Sequence, residues 1–409
     1  MSTQRNDRTL FKGGTIVTMD RKVPNLPIGD VLVEGGRVAA VGADLQADGA
    51  EVIDAAGSIV MPGMIDAHHH MWLGVMRRMM PDVDDLFAYI DVVAATLGAH
   101  YRPLDMFLST RLTAVASLDA GITTIIDACH NSRSPEHTDA ALDALDGAGI
   151  RALHMVGAAM DKRAPTAHLP GDLERLASNW NNDGGLVQVG LFGQLNLDWW
   201  KIARSLDTRI LTEFIGDLAK LGPEFAEKGV LGSHNIFNHC TRVPRETWKR
   251  LADAGVNVTV NPRSDALFGQ QRSAMRYRRF RGEQNTPAPI SVEAVLKAAT
   301  VNGARAAGLE SEVGTLTPGK QADIVTVRTN GVAVFPVSNA IGTIVQAVER
   351  SDVDTVMVAG EIRKRAGKLV GVDVAKLTAD VTASRDYLLE ASGYRPEMFG
   401  ASATSKSVA

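Results

Sequence analysis

The sequence is poor in cysteine and has no long apolar run. Its 409 residues include two cysteines, Cys129 and Cys240, which cannot form the disulfide framework of a secreted scaffold and favour a reducing compartment. No run approaches the roughly 18 apolar residues that a transmembrane helix needs. Residues 1–8 are polar and lack the apolar core of a signal peptide. These absences predict a cytoplasmic protein with no membrane partner.

An excess of basic residues is also lacking. The 43 Lys and Arg residues face 47 Asp and Glu residues, so the formal net charge is −4, which does not favour a nucleic-acid partner. The hydrophobic fraction of 45% and the charged fraction of 22% are those of a globular protein and exclude general disorder. The 38 glycines and only 5% aromatic residues suit an α/β protein with many tight turns. Neither a nucleic acid nor an anionic membrane is therefore the favoured partner.

The pattern of strand-like and helix-like segments changes along the chain. Residues 1–58 contain short β-branched runs separated by Gly-Gly breaks. Residues 59–310 alternate buried strands with helical stretches, which is typical of a (β/α)8-type TIM barrel. Residues 58–65 and 122–127 are predicted to be strands, and residues 138–148 a helix. Residues 311–372 return to β structure and are expected to pair with the first segment as one small β-sandwich domain. Residues 373–409 are predicted to be a helix and a tail. The predicted fold class is α/β.

The strongest chemical signal is a histidine-rich strand end. It reads Pro62-Gly63-Met64-Ile65-Asp66-Ala67-His68-His69-His70. The side chains of His68 and His70 are two positions apart, so on a strand they point to the same face, while His69 points away. Two imidazoles at the C-terminal end of a barrel strand form half of a metal site. A histidine-rich surface turn is the alternative interpretation.

This motif resembles the amidohydrolase superfamily, and within it the branch of cytosine deaminases and triazine hydrolases (chlorohydrolases). Residues 13–18 and 36–42 are similar to the branch's opening, and residues 300–309 and 314–323 to its closing helix and return strand. The resemblance implies a metal-dependent hydrolase that cleaves a C–N bond, by deamination or amide cleavage, or displaces a related leaving group. Its substrate would be small and cyclic. We also expect a homo-oligomer.

The resemblance also implies a set of site residues. The family's metal site draws a His pair from strand 1, a His from strand 5, a His from strand 6 and an Asp from strand 8. His68 and His70 match the pair, and His239 matches the strand 6 position. The strand 5 position is occupied by Glu213. This Glu is a substituted ligand, a general base, or a sign that the site has lost its metal.

Two further family positions are altered. The deaminases' proton-shuttling Glu falls on Gly216, with Asp217 next to it, so this group is absent or relocated. No apolar run that could form strand 8 lies between Gly269 and Ser291, although a βαβ unit needs ~30 residues. The barrel is therefore expected to be shortened near strands 7 and 8. Asp265 is the carboxylate left near the expected face, either as a substitute or as a turn residue.

The predicted mechanism depends on one divalent metal, zinc or alternatively ferrous iron. His68 and His70 would hold it with help from Glu213 or His239, and the metal would lower the pKa of a bound water. His239 would polarise the substrate. Glu213 or Asp265 would move the protons.

Two aromatic side chains complete the predicted site. His130 follows a barrel strand and is expected to line the substrate pocket. Trp72 follows the histidine motif and either walls that pocket or serves ordinary packing. The rival hypothesis is a non-catalytic or impaired relative that binds a ligand or an intact partner subunit. Its basis is Glu213 at the strand 5 position together with the missing strand 8 Asp.

Overall fold

The computed structural model describes residues 7–81, 83, 85–161, 168–182, 184–215, 220–226, 229–262, 265 and 290–398. They form two sheets: a seven-stranded parallel sheet rolled into a nearly closed barrel, and a nine-stranded mixed sheet built from both chain ends. The predicted α/β barrel with a β unit from both ends is confirmed. The domain limits at residues 58, 310 and 372 stay a prediction. Among the described helices, none is long and apolar enough to cross a lipid bilayer.

The elements follow one another in the order that the sequence pattern predicts. The strands are β1 (Arg8–Ile16), β2 (Leu26–Glu34), β3 (Arg37–Gly42), β4 (Glu51–Asp54), β5 (Ser58–Pro62), β6 (Met64–His69), β7 (Ile122–Cys129), β8 (Arg151–Val156), β9 (Val187–Phe192), β10 (Ile210–Phe214), β11 (Asn235–His239), β12 (Asn257–Thr259), β13 (Ile324–Arg328), β14 (Val353–Val358), β15 (Glu361–Arg365) and β16 (Lys368–Leu369). The α-helices are α1 (Leu86–Ile90), α2 (Pro103–Asp119), α3 (Pro135–Ala148), α4 (Leu173–Trp180), α5 (Leu197–Ser205), α6 (Arg245–Asp253), α7 (Val292–Lys297), α8 (Gly303–Ala307), α9 (Ala340–Gln346) and α10 (Val374–Ser392).

The mixed sheet is joined at β5, which is buried along its whole length. β5 pairs in parallel with β1 and antiparallel with β13, so it links the strands from the two chain ends. The single strand predicted over residues 58–65 is in fact two strands in different sheets. Gly63 separates them, and a Cβ at this position would lie 2.1 Å from Oγ1 of Thr123. The chain therefore passes from one sheet to the other through a position that only glycine fits.

The barrel strands lie in the order β6-β7-β8-β9-β10-β11-β12, and all neighbouring strands are parallel. Alternate residues point inwards, because side chains alternate along a strand. Apolar side chains from five strands form one buried cluster: Ile65, Ile126, Leu153, Met155, Leu211 and Ile236. Because parallel strands share one C-terminal edge, the polar residues that follow these apolar runs meet at one end of the barrel.

The barrel has an open seam between its outer strands, β6 and β12. Within the described ranges no strand lies between them, and α8 packs against both. Ala304, Ala306 and Ala307 of this helix belong to the same buried cluster as Ile65 of β6. Residues 266–289, including Gly269, lie outside the described residues, so the absence of an eighth strand stays a prediction. Small residues let the helix approach the seam closely.

Gly303 at the start of α8 is expected to be sensitive to substitution. A Cβ there would lie 2.8 Å from both Cβ and Cγ2 of Ile65, so we expect Gly303→Ala to lower the free energy of unfolding by about 1–3 kcal/mol. Gly147→Ala in α3 is the matched control, because its added Cβ would meet only the flexible end of Arg111 at 3.3 Å. Urea unfolding measures both variants. Equal stability of the two would contradict close packing at the seam.

One buried ion pair joins the two sheets. Arg151, at the start of β8, donates from Nε and Nη2 to the carboxylate of Asp323 at 3.1 and 2.9 Å. Its Nη2 also donates to Oε1 of Gln321 at 2.7 Å, and Asp323 accepts the backbone N–H of Ala359 at 2.9 Å. The side chains of Arg151 and Asp323 are only 3% and 2% exposed. Both charges are therefore matched by several hydrogen bonds.

Candidate metal centre

A carboxylate lies among three imidazoles at the C-terminal end of the barrel. Glu213 projects from β10, between His68 and His70 of the β6 end and His239 at the end of β11. Its Oε1 lies 3.3 Å from Nε2 of His68 and 3.5 Å from Nε2 of His70. Its Oε2 lies 2.9 Å from Nε2 of His239. The structure therefore brings together the four side chains that the sequence proposes as metal ligands.

Three of these side chains satisfy the spacing of a metal site. One ligand atom each from His68, Glu213 and His239 lies within 4.8 Å of the others. Nε2 of His68 and Oε1 of Glu213 are buried and make no hydrogen bond to any described residue. Leaving such atoms unpaired is costly. Two imidazoles and one carboxylate are a donor set that zinc accepts, so these residues fit a divalent metal ion.

Contacts at Nδ1, the ring nitrogen on the side away from Glu213, orient the imidazoles of His70 and His239. His70 donates from Nδ1 to the carbonyl oxygen of Ala128 at 2.6 Å, which leaves the lone pair of its Nε2 towards the cluster. Nδ1 of His239 lies 2.7 Å from Oδ1 of Asp265. Oδ2 of Asp265 accepts the backbone N–H of Asn261 at 3.1 Å. Asp265, considered above as a substitute for the strand 8 Asp or as a turn residue, is thus placed behind His239.

The charges of the cluster follow from burial and from contact. Burial alone would raise the pKa of Glu213, but His68 and the hydrogen bond with His239 hold that pKa far below its usual range. Burial lowers the pKa of His68 well below its usual value. Burial also acts to lower the pKa of His239, but hydrogen bonds with Asp265 and Glu213 raise it to about 9. An ionised carboxylate and a neutral His68 are the forms that bind a metal.

The backbone at His239 is unusual. His239 and Cys240 have φ angles of 66° and 50°, so two consecutive residues other than glycine adopt the left-handed conformation. The N–H of Cys240 donates to the carbonyl oxygen of Asn238 at 2.7 Å, which closes a tight turn. Such strain is concentrated at functional sites. Here it ends β11 abruptly at His239, next to Glu213.

A largely apolar cavity of about 390 Å³ opens above the cluster. Its floor contains His68, His70, Glu213 and His239. One wall comes from the segment after β6: Leu73, Met80, Val83, Leu86, Phe87, Tyr89, Ile90, Val93 and Ala94. The remaining lining residues are His130, Met160, Phe192, Gln194, Ile215, Asn261 and Asp265. None of the described lining residues is Lys or Arg, so this part of the cavity suits an uncharged small molecule.

The two predicted binding residues differ in position. His130 lines the cavity, with its ring 4.7 Å from that of His70, and burial followed by the charge of His70 lowers its pKa to about 3. Trp72 is only 1% exposed and does not line the cavity. Its ring packs edge-on against His130 at 5.1 Å and Tyr101 at 5.3 Å. The indole therefore supports His130 from behind. Gly216 and Asp217 lie outside the described residues.

A buried ion pair that the sequence did not reveal anchors the chain after His70. Oδ1 of Asp127 accepts the backbone N–H of Met71 at 2.9 Å, and its Oδ2 lies 2.7 Å from Nδ1 of His154. Burial alone would lower the pKa of His154, but Asp127, assisted by Cys129, raises it to about 10. Asp127 and His154 are paired residues on the neighbouring strands β7 and β8. The sequence shows an Asp in one strand and a His in the next, but their pairing is visible only in the assembled sheet.

The stability of this pair should depend on pH. The pKa of His154 is about 10 in the folded state and ~6.5 in the unfolded chain, so its contribution is complete below pH ~6.5 and is lost as the pH rises towards 10. We expect the stability advantage of the wild type over His154→Gln to shrink by up to about 1.4 kcal/mol per pH unit in this window. Urea unfolding at several pH values measures it. A difference independent of pH would count against a protonated His154.

The chain is similar in sequence to known proteins. The amidohydrolase family model matches residues 238–363. The 5-methylthioadenosine/S-adenosylhomocysteine deaminase of Acetivibrio thermocellus is 25% identical, over 83% of this chain and 88% of its own length. The 5'-deoxyadenosine deaminase of Methanosarcina barkeri is 24% identical, over 93% of this chain and 98% of its own length.

Solved structures share the fold. A zinc-bound adenosine deaminase from Xanthomonas campestris has a TM-score of 0.77 and 19% identity, covering 93% of this chain and 98% of its own. Atrazine chlorohydrolase from Arthrobacter aurescens TC1, in complex with zinc, has a TM-score of 0.77 and 22% identity, covering 92% and 100%. A barrel with imidazoles and a carboxylate at its C-terminal end is the arrangement expected of a metal-dependent hydrolase. The chain is similar to amidohydrolases in the sequence of residues 238–363 and in its fold, in agreement with the resemblance seen in the sequence.

Proposed function

We propose that the chain is a zinc-dependent deaminase that removes an exocyclic amino group from a small, uncharged, adenosine-type substrate. The observation that carries the proposal is the Glu213 carboxylate, which lies among three imidazoles at the floor of an apolar cavity. The names of the relatives support the reaction, since they include deaminases of 5-methylthioadenosine and of 5'-deoxyadenosine. The net reaction adds water across a C–N bond and releases ammonia.

The metal would be held by His68, Glu213 and His239, with His70 beside them. When bound, the metal supplies Lewis-acid chemistry and lowers the pKa of a bound water, so that hydroxide is available near neutral pH. Nitrogen and carboxylate donors suit zinc and also ferrous iron. The zinc-bound structures of the adenosine deaminase and of the chlorohydrolase support zinc.

The side chains around the metal position would handle the protons. Glu213 is ionised and accepts a proton from water, and its Oε2 lies 2.9 Å from Nε2 of His239. His239 would be neutral when it holds the metal, with its Nδ1–H donated to Asp265 and its Nε2 left as the ligand atom. In the charged form, which contacts with Asp265 and Glu213 favour, it would instead polarise the substrate and leave the metal to the other side chains. His130 stays neutral and orients the ring of the substrate by hydrogen bonding.

The apolar wall would select the substituent of the substrate. The nine described residues of the segment after β6 that line the cavity have aliphatic or aromatic side chains, which favours a deoxy or methylthio group over a charged amino-acid tail. A charged tail would find no Lys or Arg among the described residues of the lining. We therefore propose that 5'-deoxyadenosine and 5-methylthioadenosine are better substrates than S-adenosylhomocysteine.

Metal removal tests the proposal. Purified protein is expected to contain about one zinc per chain, and dialysis against a chelator is expected to abolish ammonia release, which added zinc restores. Adenosine analogues, amino-triazines and chloro-triazines are compared by kcat/KM, with metal content measured in each sample. A chain without bound metal that releases neither ammonia nor, from the chloro-triazines, chloride would instead support a non-catalytic relative.

We also propose a homo-oligomer. Its support is the exposed apolar segment after β13, where Val332 is 90% and Phe335 is 55% exposed. Sedimentation velocity of the wild type and of Phe335→Ser tests it. A monomeric wild type would contradict the proposal.

A further inference from the structure

Asn238 connects the strands on the two sides of the open seam. It precedes His239 on β11 and is fully buried. Its Nδ2 lies 2.7 Å from Nδ1 of His68, which is 170 positions away on β6. Its Oδ1 accepts a hydrogen bond from Oγ1 of Thr259 on β12 at 2.5 Å. The three side chains therefore form a chain of hydrogen bonds that ends at an imidazole of the cluster.

The orientation of this amide determines where His68 carries its proton. When Nδ2 of Asn238 donates to Nδ1 of His68, the neutral imidazole must carry its proton on Nε2. That atom faces Oε1 of Glu213 at 3.3 Å. To ligate a metal through Nε2, the imidazole must instead carry its proton on Nδ1 and donate it to an acceptor.

A side-chain amide can serve both states. Turning the amide half a revolution exchanges its nitrogen and oxygen with almost no change in shape. Oδ1 would then accept from Nδ1 of His68, and Nδ2 would donate to the hydroxyl of Thr259, which can accept as well as donate. Neither a carboxylate, which only accepts when ionised, nor an apolar side chain offers both arrangements.

We propose that Asn238 is a positioning residue that selects the tautomer of His68, with Nδ2 towards the imidazole in the metal-free protein and Oδ1 towards it when metal is bound. The proposal rests on the metal site of the proposed function. It assigns a role to a side chain that contacts neither metal nor substrate. Partners of this kind typically change metal affinity by about 10–100-fold when removed.

Zinc affinity provides the first test. The full-length variants Asn238→Leu, Asn238→Asp and Thr259→Val are compared with the wild type by competition with a chromophoric chelator, after circular dichroism has shown that each is folded. We expect Asn238→Leu to weaken zinc binding by about 10–100-fold, because Nδ1 loses its partner. Asn238→Asp should stay close to the wild type, because a carboxylate accepts from Nδ1–H. Thr259→Val should show a smaller loss than Asn238→Leu.

A matched control lies on the same strand. Asn235 is also a fully buried amide of β11, but its Oδ1 accepts the backbone N–H of Gly232 at 3.0 Å and not a contact from any of the proposed metal-binding side chains. Asn235→Leu removes the same amide group at the other end of β11. Its zinc affinity should equal that of the wild type. Equal loss in Asn235→Leu and Asn238→Leu would show a general packing effect and overturn the proposal.

The tautomer itself provides the second test, and it requires no turnover. NMR spectra of protein labelled with nitrogen-15 in its histidine residues report which ring nitrogen carries the proton. The signals of His68 are identified as those that disappear in His68→Gln. We expect Nε2–H in the metal-free wild type, Nδ1–H after zinc addition, and Nδ1–H without zinc in Asn238→Asp. The proposal is overturned if the metal-free wild type shows Nδ1–H, or if the tautomer is unchanged by Asn238→Asp. A normal tautomer change on zinc binding without ammonia release would reject the proposed function and leave this inference standing.

Discussion

Glu213→Gln is expected to lower kcat/KM for the deamination by about a thousandfold, because it removes a proton acceptor and a charged ligand together. Glu213 contacts the imidazoles of His68, His70 and His239 at 2.9–3.5 Å, and the amide of glutamine preserves its size but not its charge. Ammonia release with zinc in excess measures the effect. Zinc content measured on the same samples shows how much of the loss comes from metal binding.

Two further variants separate the roles of Glu213. Glu213→His introduces the residue type that the family resemblance places on strand 5. If it keeps both zinc and activity, Glu213 acts mainly as a ligand, whereas zinc without activity indicates a general base. Glu246→Gln, an exposed change on α6, should leave kcat/KM unchanged. A Glu213→Gln enzyme within about tenfold of the wild type would contradict both roles.

Asp323→Ala is expected to lower the free energy of unfolding by about 3–5 kcal/mol, because it leaves the guanidinium of Arg151 buried without its counter-charge. Arg151 is only 3% exposed, and it donates two hydrogen bonds to this carboxylate. The substitution also leaves the N–H of Ala359 without its acceptor. Urea unfolding of the purified full-length chain, with the metal content held equal, measures the loss.

Two variants test whether the burial of the charges causes the loss of stability in Asp323→Ala. Asp253→Ala breaks an ion pair at the surface, in which the side chains of Asp253 and Lys249 are 63% and 75% exposed. This change should lower the free energy of unfolding by less than about 1 kcal/mol. The double change of Arg151→Met with Asp323→Leu removes both buried charges and should recover most of the stability lost in Asp323→Ala. Similar losses for Asp323→Ala and Asp253→Ala would argue against a structural role of the buried pair.

Most barrel elements could be predicted from sequence, because their pattern is local. The strand predicted over residues 122–127 is Ile122–Cys129, and the helix predicted over residues 138–148 is Pro135–Ala148. That helix begins earlier because Pro135 occupies its first position, where proline is favoured. The continuous apolar character of residues 58–65 predicts a single strand, because it does not show which sheet each half joins.

The candidate site could be predicted only in part. The spacing of His68 and His70 indicates a shared face directly, because two positions on a strand point the same way. Glu213 and His239 were identified only through the family resemblance, since each lies on a distant strand. The roles of Asn238 and Asp127 could not be found at all. They depend on contacts with His68 and His154 that exist only once the strands are assembled.

The mixed sheet imposes an order on the assembly of the chain. Ile59 of β5 pairs with Val327 of β13, so a strand made early in synthesis must wait for a partner that leaves the ribosome after the whole barrel. Contacts between positions so far apart in sequence form slowly, because a long loop must close before they are gained. Until β13 arrives, the apolar side chains of the wholly buried β5 have no cover from that side. The nascent barrel therefore carries an exposed apolar strand, and chaperone dependence should be greatest in this interval.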